Sequence, residues 1–372
     1  MRKVGGQLHL TDDVTFSTSS LINEFGGNFP EKTREYLREF KSKFNSEEII
    51  SIFASLRDLK VLIIGDTIFD KYVFCDAMGK EAKEPLLVYN NLDTELYAGG
   101  VLAIANHVAN FVDKVCLVTS VGLDQKSNSA IKSRLNKNID THFFLDKTNP
   151  SLTKLRYIEK YWNRKVFEIY ESMYHNIDAD LEKQIIKYLD ENLELFDVVI
   201  VSDFGHGMIT DRIQECTIRN GNFIAANAQT NSGNFGYNFI TKYKNVDFVS
   251  LNDLELKLAL RENGSDFGLL IQRLSKSIGC HKINLTLGKK GVLYLEDNIR
   301  YSAPIFSYAV IDTVGAGDAI LSIVSLLAYR GVNPKIIPFV ANCIGALAVK
   351  IMGNKESINP IDLNKFISYI LR

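Results

Sequence analysis

The sequence predicts a doubly wound α/β fold, with a mostly parallel sheet, helices on both of its faces and a small β lid. Three observations carry this. From Lys60 onward, short apolar runs rich in β-branched residues recur, each ending in turn residues and followed by a helix-like stretch. These runs do not alternate polar with apolar residues, which is the pattern of parallel strands covered on both faces. Two other stretches interrupt the rhythm with paired strand-like segments around short turns.

Residues 1–57 stand apart, with two Gly-Gly pairs, a Ser/Thr cluster at Ser17–Ser20 and a polar, helix-prone run over Glu31–Ser55. They read as an appended segment with little apolar surface to bury, dispensable for chemistry and for most of the stability. The main domain is expected over 58–372. Within it Val61–Ile64 ends in Gly65-Asp66, Val115–Thr119 in Ser120, Val198–Val201 in Ser202-Asp203 and Phe223–Ala226 in Asn227. Val246–Leu251 then ends in Asn252, and Lys282–Thr286 runs into Leu287-Gly288. Lys71–Asn91 and Thr153–Glu171 predict hairpins, the second turning at Asn163-Arg164, so lid insertions are expected near 71–97 and 150–172. Strands projecting from an α/β core can exclude water from transfer chemistry. Edge strands that are apolar on one face also predict pairing with a second copy, giving a homodimer. Ala319–Tyr329 and Ile336–Val349 fall short of the roughly 18–20 apolar residues of a membrane span and read as buried core helices.

At 372 residues, 46% apolar and 23% charged, the chain can bury one large α/β core or two ordinary ones. Lys and Arg number 43 against 44 Asp and Glu, so the net charge of -1 gives no electrostatic reason to bind nucleic acid or an acidic membrane. A small-molecule enzyme or binder is expected. The five cysteines are scattered without a CxxC pair, and the Met-Arg-Lys start leads into no apolar stretch. Both features fit a cytoplasmic protein.

The sharpest chemical feature is Asp312-Thr313-Val314-Gly315-Ala316-Gly317-Asp318, between the strand-like Ser307–Ile311 and the helix-like Ala319–Arg330. Small residues at Gly315, Ala316 and Gly317 let successive N–H groups converge, and the following helix adds its positive end. Beside such an anion hole, Asp318 can take a proton from a hydroxyl attacking a phosphoryl group. The plain alternative is a glycine turn with Asp318 as a helix-start residue. No GK[ST] follows, so this is not a P-loop, and GxGxxG is absent.

Other residues carry two readings each. Asn252 and Glu255 lie three apart after a strand, as a capping box would, and also on one helix face. Asp66 and Asp70 follow the first strand, where open α/β sheets place ligands; turn capping is the alternative. Gly99-Gly100 precede the apolar Val101–Phe111 and could bring backbone amides to a ligand or simply start a helix. Lys154 and Arg156, two apart on a lid strand, point to one face, either towards a phosphate or into solvent. Asp203 closes a strand, and His206 reads as an ordinary loop histidine. The lid aromatics Tyr157, Tyr161, Trp162, Phe167 and Tyr170 are expected to pack.

The DTVGAGD string resembles the signature of ribokinase-like (PfkB family) sugar kinases. The resemblance extends over 58–372 through VLIIGDTIFDKY at Val61–Tyr72, Ala98-Gly99-Gly100, PSLTKLR at Pro150–Arg156, SDFGHG at Ser202–Gly207, NDLE at Asn252–Glu255 and TLGKKG at Thr286–Gly291. It is similar in particular to the kinase halves of bifunctional heptose-7-phosphate kinase/heptose-1-phosphate nucleotidyltransferases. The resemblance implies a ribokinase-like fold and an ATP- and magnesium-dependent kinase acting on a sugar or sugar phosphate, in the synthesis of sugar-nucleotide precursors of surface glycans. Asp318 would be the base, with Gly315, Ala316 and Gly317 stabilising the transferring phosphoryl group. Asn252 and Glu255 would organise magnesium, mostly through water, and Thr286, Gly288 and Asn342 would contact the nucleotide. Asp66, Asp70, Gly99, Gly100, Lys154, Arg156 and Asp203 would bind the substrate. The alternative is a non-catalytic carbohydrate-binding or assembly subunit on the same fold. Two departures bear on the sugar: Ala103 stands where relatives carry Asn, with Asn106 a turn later, and Asn227-Ala228-Gln229 stands where they tend to have Asp-Pro-Lys. Val4–Phe25 resembles the final strand and helix of nucleotidyltransferase domains. The catalytic part of such a domain is not in this sequence, so no nucleotidyltransferase activity is expected of the chain, and a separate nucleotidyltransferase is an expected partner.

Overall fold

The run Val61-Leu62-Ile63-Ile64 is wholly buried because strand β1 (Lys60–Gly65) lies inside a sheet covered on both sides. Val61 and Ile63 enter one hydrophobic core while Leu62 and Ile64 enter another, the period-two alternation of a strand between two helix layers. The computed structural model describes residues 29–123, 125–171 and 176–372. Val4–Phe25, compared above with a nucleotidyltransferase domain, lies outside the described residues.

The elements after β1 are β2 (Thr67–Lys80), β3 (Leu87–Gly100), α3 (Val101–Ala109), β4 (Lys114–Gly122), α4 (Gln125–Arg134) and β5 (Ile139–Asp146). They continue through β6 (Leu152–Glu159), β7 (Arg164–Tyr170), α5 (Ala179–Asn192), β8 (Val198–Asp203), α6 (Asp211–Asn220) and β9 (Ile224–Ala228). The chain finishes with β10 (Phe248–Asn252), α7 (Asp253–Leu260), α8 (Phe267–Ile278), β11 (Lys282–Thr286), β12 (Val292–Glu296), β13 (Ile299–Ala303), α9 (Ala316–Tyr329), α10 (Ile336–Ala348) and α11 (Pro360–Ile370). Among the described residues the main sheet has nine strands in the order β13-β12-β11-β10-β9-β8-β1-β4-β5. It is parallel from β5 to β11 and ends in the antiparallel β12 and β13. Its parallel strands deliver their C-terminal ends to one edge, where open α/β sheets bind ligands.

A second sheet, ordered β3-β2-β6-β7, forms the lid. Only Asp66 separates β1 from β2, so the lid rises directly out of a core strand. Asp70 pairs in register with Lys154 and Tyr72 with Arg156, which puts these four side chains on the lid face turned towards the core. Ser307–Ile311, expected as a strand, forms no ladder; Tyr308, Val310 and Ile311 are exposed.

Residues 29–57 are not the loosely attached segment the sequence suggested. Helix α1 (Glu31–Lys41) has Glu31 in its first turn and Arg38 and Lys41 in its last, matching the helix dipole. Helix α2 (Ser46–Ala54) is capped by Asn45, whose side chain accepts from the Glu48 N–H. Their apolar faces bury Leu37, Phe40, Ile49 and Phe53 in the same core as α9, α10 and α11, and Phe40 stacks on Phe339 at 4.3 Å between centroids. The polarity read in this run belongs to the outward face of two amphipathic helices.

Candidate active site

Helix α9 aims its N-terminus at a cavity of about 890 Å³ between the lid and the C-terminal edge of the sheet. Gly315 is its N-cap in the left-handed conformation at φ 82°, and an added Cβ would collide with the Asn354 side chain. Only glycine fits that turn without strain. Gly315, Ala316, Gly317 and Asp318 all line the cavity. In the first turn of a helix the amide hydrogens have no intrahelical acceptor; Ala316 N reaches back to Thr313 O at 3.4 Å, while the Gly317 and Asp318 amides offer donors at the positive end of the dipole.

Asp318 is 8% exposed, and among the described residues no hydrogen bond to its carboxyl is found. Burial, reinforced by the Asp70 and Glu255 charges and opposed by Lys154, pushes its pKa up to about 7. A carboxyl so placed can accept a proton near neutral pH, which suits a general base.

The lid supplies Asp70, Lys154, Arg156, Glu168 and Tyr170 to the same cavity. Neither basic residue is solvated surface. Arg156 is buried and pairs with Asp70 and, at 3.1 Å, with Glu168. Asp70 also accepts from Asn354 Nδ2 at 2.8 Å. Lys154 is 5% exposed, with its Nζ 4.8 Å from the centre of the Tyr170 ring. Burial lowers its pKa, with Asp70 acting in the opposite sense. Gly100, at φ 56° and the N-cap of α3, lines the cavity, whereas Gly99 lies behind Asp70, whose carboxyl occupies the space a Cβ would need.

On the far wall are Asn252, Thr286, Gly288 and Asn342. Asn342 is anchored by donating to Ala303 O and Pro338 O. Asn252 and Glu255 form the capping box: Asn252 Oδ1 accepts from Glu255 N at 2.8 Å and Glu255 Oε2 from Asn252 N at 2.9 Å. Glu255 Oε1 accepts from Thr230 N at 3.3 Å, and its side chain does not line the cavity. Burial raises its pKa to about 7 against the pull of these amides. Asp253 lines the cavity instead. No group of three or more His, Cys, Asp and Glu able to hold a metal occurs among the described residues. A magnesium ion therefore fits here only if phosphate oxygens and water supply most of its ligands; each oxygen of the Glu255 carboxylate keeps a lone pair for such a water.

Two carboxylates expected to bind sugar are turned away from this cavity. Asp66 accepts from the amides of Phe204, His206 and Met208 at 3.0, 3.3 and 3.1 Å and holds that turn in place. Burial and the neighbouring Asp203 charge raise its pKa to about 6, opposed by the three amides. Asp203 accepts from Tyr243 Oη at 2.7 Å and Gly205 N at 2.9 Å, and pairs with Lys242 at 2.5 Å. Asp66 follows a strand and Asp203 ends one, but Asp66 accepts from the amides of a turn and Asp203 is held by Tyr243, Lys242 and Gly205. Asn106 does not stand in for the missing Asn at Ala103 either: it bonds to Arg134 O and the Asn136 amide, away from the cavity. Cavity residues without a sequence signal include Glu168, Asn231, Ser232 and Asn354. Tyr170 and Gln229 also line the cavity, although the sequence points only to lid packing for the first and to a departure from relatives for the second.

Comparison with known proteins agrees with this fold. The model of the pfkB family of carbohydrate kinases matches residues 58–361. The curated relatives include the Bifunctional protein HldE of Helicobacter pylori (strain G27), 26% identical over 79% of this chain and 64% of the relative. The Bifunctional protein HldE of Koribacter versatilis is 24% identical over 80% of this chain and 60% of its own length. This chain thus spans less than two thirds of those relatives. Among solved structures, phosphofructokinase-2 from Escherichia coli in complex with substrates and products superposes with a TM-score of 0.68 at 14% identity, covering 85% of this chain and all of the other. A ribokinase from Thermotoga maritima gives 0.65 at 17% identity, over 83% of this chain and 99% of its own. With its ribokinase-like fold, its DTVGAGD turn and a family match over most of its length, the chain belongs to the pfkB family of carbohydrate kinases.

Proposed function

We propose that the chain transfers the γ-phosphoryl group of ATP, with magnesium, to a hydroxyl of a sugar phosphate of the heptose-phosphate type, as a step towards sugar-nucleotide precursors of surface glycans. The observation that carries this reading is Asp318, a buried carboxyl with a pKa near 7 beside the free amides of α9. Asp318 takes the proton of the attacking hydroxyl, and the amides of Gly317 and its neighbours face the charge that develops on the phosphoryl oxygens. Magnesium, when bound, neutralises phosphate charge; Asn252, Asp253 and, through water, Glu255 are the residues that would hold it. The lid excludes water, and Lys154 offers a buried cation to an anionic group on the substrate. A binding-only subunit gains nothing from burying Asp318 in this way, because a buried carboxyl without a partner costs free energy.

The experiment is ATP consumption over hexoses, heptoses and their phosphates, with magnesium omitted as control. Sugar-dependent, magnesium-dependent ADP formation is expected, strongest with a phosphorylated sugar. No ADP formation with any acceptor would overturn the kinase reading in favour of a binding or assembly subunit.

A further inference from the structure

Asp312 opens the DTVGAGD turn, yet nothing in the transfer scheme above uses it. Its side chain is 3% exposed, and its two oxygens meet four donors from two different bodies. Oδ1 accepts from Lys165 Nζ at 2.5 Å and from Val314 N at 3.1 Å. Oδ2 accepts from Tyr72 Oη at 3.1 Å and from Gly353 N at 3.0 Å. Lys165 and Tyr72 stand on lid strands β7 and β2, whereas Val314 and Gly353 belong to the core. Burial pushes the Asp312 pKa upwards, but Lys165 and the other donors overcome it and hold the carboxyl below the usual range. The group is thus an anion whose charge is balanced by the lid and whose lone pairs shape the loop entering the anion hole.

We propose that Lys165 and Tyr72 are positioning residues, which act through Asp312 to fix the Val314–Gly315 turn in its catalytic form only while the lid is docked. Val314 lies one residue before the α9 cap, so the Asp312–Val314 bond sets the direction in which the Gly315–Gly317 amides point. Removing the lid donors leaves a buried carboxylate short of partners. It then seeks water or its own backbone, and the turn loosens. The lid therefore organises the anion hole as well as covering the substrate.

This inference rests on the phosphoryl-transfer reading, and its test is chosen to separate the two. Hydrogen exchange measured on the protein alone reads the turn directly. In Lys165→Met and in Tyr72→Phe, the bonded amides of Asp312, Val314, Ala316 and Gly353 are expected to exchange at least tenfold faster, while the β1, β4 and β8 amides are unchanged. Lys165→Arg restores protection. In the kinase assay Lys165→Met lowers kcat at least tenfold with KM for ATP within about twofold, and Lys165→Arg recovers most of it. Unchanged exchange in both variants overturns the proposal, as does faster exchange with unchanged kcat. A wild-type protein that makes no ADP with any sugar tells against the transfer reading, while the exchange result still decides whether the lid holds the turn.

Discussion

Asp318 ties together three properties that a surface carboxylate lacks: burial, a raised pKa and a place in the first turn of α9. Asp318→Asn keeps the shape and removes the base, so turnover should fall by roughly 10²–10⁴ with the fold intact. Near-normal turnover would remove Asp318 from the mechanism. The same substitution should alter the pH dependence of stability. The folded protein keeps this proton up to about pH 7, whereas the unfolded chain loses it near 3.8, so between these values the native state binds more protons and stability falls as pH rises. Thermal melts should show Asp318→Asn gaining on the wild type from pH 4 to 7 and holding that gain above. Asp66, which is not among the charges that act on Asp318, titrates in the same window in both proteins and leaves the difference intact. Arg156 and Lys154 part company at this scale. Arg156→Ala would strand Asp70 and cost about 3–5 kcal/mol, because the pair is buried. Lys154→Ala breaks no ion pair and should raise KM for phosphorylated sugars at least tenfold while leaving free sugars unchanged. Equal effects on both would deny Lys154 a substrate phosphate. A sequence places all these carboxylates and cations near strand ends, but not the direction in which they turn. In the sequence Asp66 is equivalent to Asp70 and Asp203 is a strand-closing candidate; in the structure the amides of 204–208 and the side chain of Tyr243 claim their lone pairs.

The lid shows what a strand pattern reveals and what it hides. Both hairpins were legible, since β-branched and aromatic runs flank turn residues, and Asn163 indeed turns with a positive φ of 52°. The inner parallel strands were legible for a related reason: burial on both faces leaves mostly apolar residues to occupy them. Strands β5, β12 and β13 were not, because they lie at the sheet margins, where β5 is mostly half-buried, β13 is mostly exposed and both carry polar residues. The lid face turned away from the cavity carries Tyr157 stacked on Phe167 at 4.3 Å, with Ile169 beside Leu155 in register. Phe167 and Ile169 remain 47% and 45% exposed. We propose that two copies cover this face mutually, which also shields the edge strands β3 and β7. Light scattering at micromolar concentration should give about twice the 41.9 kDa chain mass, and Phe167→Glu with Ile169→Glu should return it to one chain. A wild-type protein already at monomer mass would overturn this pairing.

Across the whole molecule, α1 and α2 decide how much of the chain is needed to make the kinase core. Phe40 stacks on Phe339, Tyr36 lies 6.2 Å from Phe306 between ring centroids, and Phe53 meets the edge of Phe111 at 5.6 Å. These partners belong to α10, to the chain between β13 and α9 and to the turn after α3, so the two helices brace elements far apart in sequence. Polar ties follow the same route, with Arg330 paired to Asp58 and the Asp113 amide donating to Arg57 O. The family match begins at residue 58, just where these helices end. A chain starting there would keep every motif of the site while exposing Phe339, Phe111 and their neighbours to water. Each buried side chain of this size contributes about 1.5–3 kcal/mol, and a domain of this kind has only about 5–15 kcal/mol in total. Removal of residues 1–57 should therefore give protein that is insoluble or melts at least about 10 °C lower. Any soluble fraction assayed well below its melting temperature should retain kcat, because none of the cavity-lining residues comes from that segment. A truncated protein with unchanged melting temperature would mean that the helices only rest on the core. One that stays stably folded but has lost kcat would mean that they reach the chemistry through α10 and Asn342.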